Sequence, residues 1–171
     1  SKGQVLKTGT ADEIVELYLA TEGDVSRANS WIDLSRTSRT GGSQEARFTE
    51  LRFSTGSEGG LISGGPMNVQ LRIHAEQAMS VDRVAVSLYD RNGMKLLNAD
   101  TAPMQQTVPL KAGQNEVLLE IESLPLLPGT YVLGLLLSKQ PSTHYDYMES
   151  VCEIEVAPAP DDGIRPQAND G

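Results

Sequence analysis

The most constraining feature of this chain is a strict two-residue alternation between residues 68 and 76. Its apolar positions are Val69, Leu71, Ile73 and Ala75. Its polar positions are Asn68, Gln70, Arg72, His74 and Glu76. Successive side chains of a β-strand point to opposite faces of the sheet. The pattern therefore predicts a strand with one buried face and one solvated face.

Further short segments of this kind occur throughout residues 44–157, and turn residues separate them. Arg47 and Thr49 fall on the same alternating face as Leu51 and Phe53, and residues 84–88 and 117–121 repeat the pattern. Residues 131–137 are apolar on both faces, as in a central strand, and the last segment is residues 148–156. About eight strands without intervening helices predict an all-β antiparallel sandwich, for which a jelly roll is one solution.

The flanking segments differ from this region. Thr10 and Glu13 have the spacing of a capping box, and Ile14, Leu17 and Tyr18 share one face at helical spacing. We therefore expect a short amphipathic helix within residues 1–20. Residues 21–43 are polar, with Trp31 as their one aromatic residue, and they are typical of a linker. Residues 158–171 are rich in Pro, Asp and Gly and are predicted to be a disordered tail.

Composition narrows the classes of function. The net charge is -9, and Lys and Arg are scattered singly, which disfavours nucleic acid as a partner. No run of about 18 apolar residues is present to cross a bilayer. The single cysteine, Cys152, lies in an apolar alternation and is expected to pack as a small hydrophobic residue.

Motifs for catalysis are missing from the sequence. It contains no Gly-x-Ser-x-Gly, His-Glu-x-x-His or Cys-x-x-Cys spacing, and its two histidines are His74 and His144. We therefore expect neither a catalytic site nor a metal site. Paired carboxylates on strand faces could in principle cleave glycosides, so a glycosidase is a minor alternative. Such charges more often form a solvated face.

A polar strand face is the candidate ligand site. Gln70, Arg72 and His74 follow one another two residues apart, and Ser87 and Tyr89 lie on the outward side of a strand expected nearby. Their polar groups suit sugar hydroxyls, and a tyrosine ring suits the C–H face of a pyranose. The alternative is an ordinary solvated face. Tyr145, Tyr147 and Trp31 are secondary aromatic candidates, for which packing against the sandwich is the favoured interpretation.

Several segments resemble a known family when taken in their order along the chain. Residues 2–18 resemble the end of the nucleotide-binding domain in the ATP-binding subunit of polysaccharide ABC exporters, with its pattern G-x-hydrophobic, G-x-x-x-E-hydrophobic and Y. The β region resembles the carbohydrate-binding domain fused after that ATPase in exporters of O-antigen polysaccharide. The matching segments are residues 89–93 (YDRNG), 98–101 (NADT), 124–131 (LPLLPGTY) and 145–156.

The resemblance implies that residues 1–20 are the C-terminal end of an ATPase domain, and that residues 44–157 form an immunoglobulin-like or jelly-roll sandwich. This sandwich would bind the end-modified O-polysaccharide on its lipid carrier, in the cytoplasm at the inner membrane, and select it for export. The ATPase domain and the membrane subunits would perform the transport. ATP and magnesium would belong to the ATPase domain, so no cofactor is expected in this chain.

The resemblance also implies a homodimer, often formed by exchange of the last strand. Ser150, Cys152, Ile154 and Val156 would then form the apolar face of that strand. An alternative interpretation gives the sandwich a structural role only, in which it dimerises or docks ATPase subunits without binding glycan.

Overall fold

The computed structural model of the protein describes residues 3–9, 28–55, 59–101, 107–139 and 143–160, with the backbone alone for 3–9. Within these ranges the regular elements are twelve β-strands. Their bounds are β1 Gly3–Gly9, β2 Ile32–Asp33, β3 Ala46–Ser54, β4 Leu61–Ile62, β5 Met67–Ala75, β6 Met79–Val81, β7 Arg83–Tyr89, β8 Lys95–Asp100, β9 Val108–Leu110, β10 Gly113–Ile121, β11 Gly129–Lys139 and β12 Thr143–Ala157. The predicted helix after Thr10 lies outside the described residues.

The described strands form two five-stranded sheets and a two-stranded ribbon of β6 and β9. The β5 sheet has the order β1-β10-β5-β3-β2, and the β11 sheet has the order β4-β12-β11-β7-β8. The neighbours within each sheet are antiparallel, except that β4 runs parallel to β12. Both sheets contribute to a single core cluster. The predicted all-β sandwich is confirmed.

The core consists of the inward-facing side chains of both sheets. Val69, Leu71 and Ile73 of β5 have no exposed surface, as the alternation predicted. The β11 sheet contributes Leu133 and Leu137, which are also fully buried. Each such side chain stabilises the folded state by roughly 1.5–3 kcal/mol. The apolar half of the alternation thus drives the two sheets together.

Strand β3 departs from simple alternation at one point. The pattern predicted that Arg47 and Thr49 share a face with Leu51. Phe48 is the fully buried residue instead, and the register with β5 shifts between Phe48 and Glu50. A β-bulge inserts one extra residue, so the faces exchange across it. The predicted face was therefore wrong for the residues that precede the bulge.

Other strands agree with the pattern more closely. Val84, Val86 and Leu88 of β7 are buried, and β11 is central, between β12 and β7. In the turn between β7 and β8, Gly93 has a φ of +88°, which glycine adopts without steric cost. Strand β12 begins at Thr143, earlier than the predicted start at residue 148.

Residues 28–43, which the sequence assigned to a linker, pack along the sandwich. Strand β2 pairs with β3, and Leu34 is fully buried. Residues 37–44, here called the arm, continue from there along β12. The backbone N–H groups of Thr40 and Gln44 donate hydrogen bonds to carbonyl oxygens of β12. The arm therefore lies beside the edge of the β11 sheet.

Candidate functional site

The outer face of the β5 sheet carries Gln70, Arg72 and His74 in a row, as predicted. Arg72 is only 4% exposed although it points away from the core. Its Nη1 lies 2.9 Å from Glu50 on one neighbouring strand, and its Nε lies 3.7 Å from Glu116 on the other. The ring of Trp31 covers its guanidinium, with the guanidinium carbon 3.8 Å from the ring centroid. Arg72 is thus enclosed by partners from its own chain.

Gln70 belongs to the same network. Its side-chain oxygen accepts a hydrogen bond from Nε of Arg52 at 2.8 Å, and its Nε2 donates to Glu116 at 2.9 Å. His74 lies between Arg47 and Gln114 in the strand register and is half-buried. The Gln70 amide is therefore used internally, whereas Nε of Arg72 and Oε1 of Gln114 are buried on this face without a hydrogen-bond partner among the described residues.

Ser87 and Tyr89 lie on the opposite surface of the molecule. Strand β7 belongs to the β11 sheet, so its outward side chains face away from those of β5. The expectation that these two residues lie near Gln70 and Arg72 was wrong. Alternation determines the face of a strand, but it does not determine the sheet to which the strand belongs.

A groove of about 390 Å³ lies on the outer face of the β11 sheet, at the end where β7 turns into β8. Strand β7 and its turn supply one wall, β11 supplies Val132, and β12 supplies the other wall. The lining residues are Tyr89, Asp90, Arg91, Gly93, Val132, Glu149 and Ser150. Of the five residues predicted to bind ligand, Tyr89 lines this groove.

An irregularity between β11 and β12 lies at the groove wall that contains Glu149 and Ser150. The register passes from Leu133 opposite Cys152 to Leu135 opposite Met148, so residues 149–151 of β12 form a bulge opposite Gly134. A Cβ atom at Gly134 would lie 2.9 Å from the carbonyl oxygens of Met148 and Glu149. It would also lie 3.2 Å from the ring of Tyr89. Glycine here permits the close approach of the bulge and the ring.

Two ionisable side chains, Tyr147 and Lys95, lie near Tyr89. Burial, the charge of Glu149, the nearby Tyr89 and a hydrogen bond to Glu149 raise the pKa of the Tyr147 phenol above its ordinary value of 10.0. The Tyr147 hydroxyl donates that bond to Oε2 of Glu149 at 3.3 Å. Nζ of Lys95 lies 5.8 Å from the centroid of the Tyr89 ring. The groove thus combines an aromatic surface with a carboxylate acceptor.

A polar ladder links the side chains of β7 and β8. The hydroxyl of Ser87 donates to Oδ1 of Asn98 at 2.8 Å, and Nδ2 of Asn98 donates to Asp100 at 3.1 Å. Arg83 completes the ladder with an ion pair to Asp100 at 2.6 Å. Ser87 is therefore a member of this ladder and is largely buried.

Comparison with known proteins identifies the family. The model of the Wzt C-terminal domain family matches residues 37–165. The chain belongs to the Wzt C-terminal domain family. A solved structure described as the C-terminal domain of wzt superposes with a TM-score of 0.58 at 13% identity, covering 70% of this chain and 78% of that chain. No curated protein sequence matched the chain.

The match confirms the family resemblance that the sequence suggested, and the superposition confirms the fold. The range matched by the Wzt C-terminal domain model begins at Thr37, the first residue of the arm, and includes both walls of the groove. Strands β1 and β2 precede it. In this Wzt C-terminal domain, therefore, the arm and the groove belong to the part that matches the family.

The residues predicted for a dimer strand have three different environments in β12. Ile154 and Val156 are in the core, Cys152 is half-buried opposite Leu133, and Ser150 lines the groove. Strand β12 pairs with β11 of the same chain here. The predicted strand exchange stays a prediction.

Several groove residues were missed from the sequence. Glu149 and Ser150 lie in a bulge, which interrupts the alternation on which the search for site residues relied. Gly134 was the available signal, because glycine inside an apolar strand marks a bulge or a close approach. Among the described residues, no cluster of His, Cys, Asp or Glu has metal-binding geometry. No helix within the described ranges is long and apolar enough to cross a membrane.

Proposed function

We propose that this domain binds the terminus of an O-antigen polysaccharide in the groove of the β11 sheet, without catalysing a reaction. The observation that carries the proposal is a groove that Tyr89 lines together with residues of the β7–β8 turn and Glu149. A pyranose stacks its C–H face on an aromatic ring, while its hydroxyls donate to carboxylate and hydroxyl oxygens. The groove offers both kinds of group.

The shape and charge of the groove suit a short neutral glycan segment. Its volume of about 390 Å³ lies at the lower end of the 300–1,000 Å³ typical of small-ligand pockets. Two carboxylates, Asp90 and Glu149, line it together with one guanidinium, Arg91. Carboxylates repel anionic groups and accept hydrogen bonds from hydroxyls. Uncharged sugars at the end of a chain therefore fit better than phosphorylated ones.

The place of the domain in an exporter follows from its family. The polysaccharide on its lipid carrier would be selected in the cytoplasm, at the inner membrane. The ATPase domain and the membrane subunits would then move it across, with ATP and magnesium bound by the ATPase domain. This domain would need no cofactor of its own.

Isothermal titration calorimetry with delipidated O-polysaccharide from the source organism tests the proposal. Tyr89→Ala should weaken binding roughly tenfold or more because the stacking surface is lost, and Tyr89→Phe should keep most of the affinity. His74→Ala on the β5 sheet is the matched control and should leave the affinity unchanged. Equal affinity of Tyr89→Ala and the unmodified domain would refute the groove as the site.

A second candidate is a structural role in dimerisation or docking. The exposed apolar side chains Met94 and Leu96 favour it, since they are 63% and 40% exposed at the edge strand β8 and the turn before it. Analytical ultracentrifugation distinguishes the roles. A dimer that Leu96→Lys dissociates, in a domain that binds no polysaccharide, would support the structural role alone.

A further inference from the structure

The arm is joined to the groove wall by a direct hydrogen bond. The backbone N–H of Glu149 donates to the side-chain oxygen of Thr40 at 2.9 Å. Glu149 also lines the groove. The bulge that carries Glu149 therefore has two neighbours. Within the sheet it packs closely over Gly134, and outside the sheet it is bonded to Thr40.

Backbone hydrogen bonds fix the arm to the same stretch of β12. The N–H groups of Thr40 and Gly41 both donate to the carbonyl oxygen of Tyr147, at 2.7 and 3.1 Å, and the N–H of Tyr147 donates to the carbonyl oxygen of Gly41 at 3.0 Å. Gly42 follows with a φ of +116°, and a Cβ there would collide with the backbone of Tyr145. Glycine at this position permits the close contact between arm and strand.

A buried carboxylate anchors the arm to both sheets. Asp146 has no exposed surface and accepts hydrogen bonds from Nε2 of Gln44 and from the backbone N–H of Phe48, each at 2.8 Å. Nε of Arg39 lies 3.3 Å from its Oδ1, and Nη2 of Arg39 donates to the carbonyl oxygen of Phe48 at 2.8 Å. Both backbone groups of Phe48 in the β5 sheet are thus tied to the arm and to β12.

From these contacts we infer that Thr40 is a positioning residue for the groove, and that the arm and a bound glycan stabilise each other. Thr40 does not line the groove. It acts on the groove through its hydrogen bond to the backbone of Glu149. Coupling between two sites is reciprocal, so a glycan that orders Glu149 also strengthens the bonds between the arm and β12. A displacement of the arm would weaken glycan binding by the same factor. The identity of the ligand rests on the proposed function, whereas the coupling of arm and wall does not.

Amide hydrogen exchange on the unliganded domain tests the contact without a ligand. Thr40→Val keeps the shape of the side chain and removes the hydroxyl acceptor, and Thr40→Ser keeps the acceptor. Exchange at the amide of Glu149 should accelerate roughly three- to tenfold in Thr40→Val and should return close to normal in Thr40→Ser. The amide of Leu119 in β10 is the internal control for global stability. Unchanged exchange at Glu149 in Thr40→Val would overturn the inference.

The reciprocal effect is tested with delipidated O-polysaccharide. Saturating polysaccharide should slow exchange at the amides of Thr40 and Gly41 in the unmodified domain, and Thr40→Val should bind it roughly three- to tenfold more weakly. The amide of Leu34, which donates to Thr49, should not respond. Binding with full affinity by Thr40→Val, and without protection of the arm, would overturn the coupling. Absence of binding by the unmodified domain would instead overturn the proposed function.

Discussion

The guanidinium carbon of Arg72 lies 3.8 Å from the ring centroid of Trp31, which covers the middle of the β5 sheet. Arg52 approaches the same ring at 4.8 Å. The positive charge of Arg72 is also paired with Glu50 and Glu116. The side chain that looked from the sequence like a ligand contact is therefore part of the packing of residues 28–34 onto the sandwich.

Removing the ring of Trp31 should destabilise the domain. Trp31→Ala removes the cover of a largely buried guanidinium, and we expect a loss of about 2 kcal/mol in the free energy of unfolding. Urea denaturation followed by circular dichroism measures this loss. Arg36→Ala, at an exposed position just after this segment, should change the unfolding free energy by less than about 0.5 kcal/mol. Equal stability of the two variants would contradict the packing role.

The buried carboxylate of Asp146 should be costly to neutralise. Asp146→Asn leaves the Arg39 guanidinium without its anionic partner and weakens the bonds from Gln44 and Phe48. We expect a loss of about 3 kcal/mol in the free energy of unfolding, from chemical denaturation. Glu155→Gln, at an exposed position of the same strand, is the control and should be nearly neutral. A neutral effect of Asp146→Asn would refute the anchoring of the arm.

The raised pKa of Tyr147 predicts a loss of stability in alkali. Between the ordinary pKa of 10.0 and the higher pKa in the folded state, the unfolded chain loses the phenol proton while the folded domain keeps it. The folded state then binds more protons, so this contribution to stability falls as the pH rises through that range. The unfolding free energy of the unmodified domain should fall more steeply above about pH 10 than that of Tyr147→Phe. Parallel curves for the two proteins would contradict the raised pKa.

Gly134 should tolerate no side chain. In Gly134→Ala the new methyl group would meet the carbonyl oxygens of Met148 and Glu149, so the bulge must shift, at a cost of about 1–3 kcal/mol. Thermal unfolding and polysaccharide titration should both report the change, as a lower Tm and a weaker affinity. Gly60→Ala is the matched control, because nothing lies within 4 Å of a Cβ atom there. Unchanged affinity in Gly134→Ala would mean that the bulge does not shape the binding site.

The sequence predicted the faces of regular strands well. Ile73 and Leu119 are buried as their two-residue spacing required, because a strand that alternates has only one way to place its apolar side chains. It failed where the spacing breaks. The bulge after Phe48 exchanged the faces of β3, and the bulge at Glu149 built the groove wall from residues that follow no period.

The sequence also could not assign strands to sheets. Tyr89 was correctly placed on an outward face, but its distance from Arg72 depends on long-range pairing, which the local pattern does not encode. The contact between the Trp31 ring and Arg72 could not be predicted for the same reason, because it joins residues that are distant in sequence. Local periodicity thus predicted the sandwich, and tertiary pairing determined which candidate residues share a surface.

The most direct test of the glycan groove is a titration of the isotope-labelled domain with delipidated O-polysaccharide, followed by amide chemical shifts. We predict saturable shifts at Tyr89, Val132, Glu149 and Ser150, with smaller shifts in the arm at Thr40 and Gly41. The amide chemical shifts of residues 70–74, on the opposite sheet, should not change. Shifts confined to Gln70, Arg72 and His74, or no shifts at saturating polysaccharide, would contradict the account.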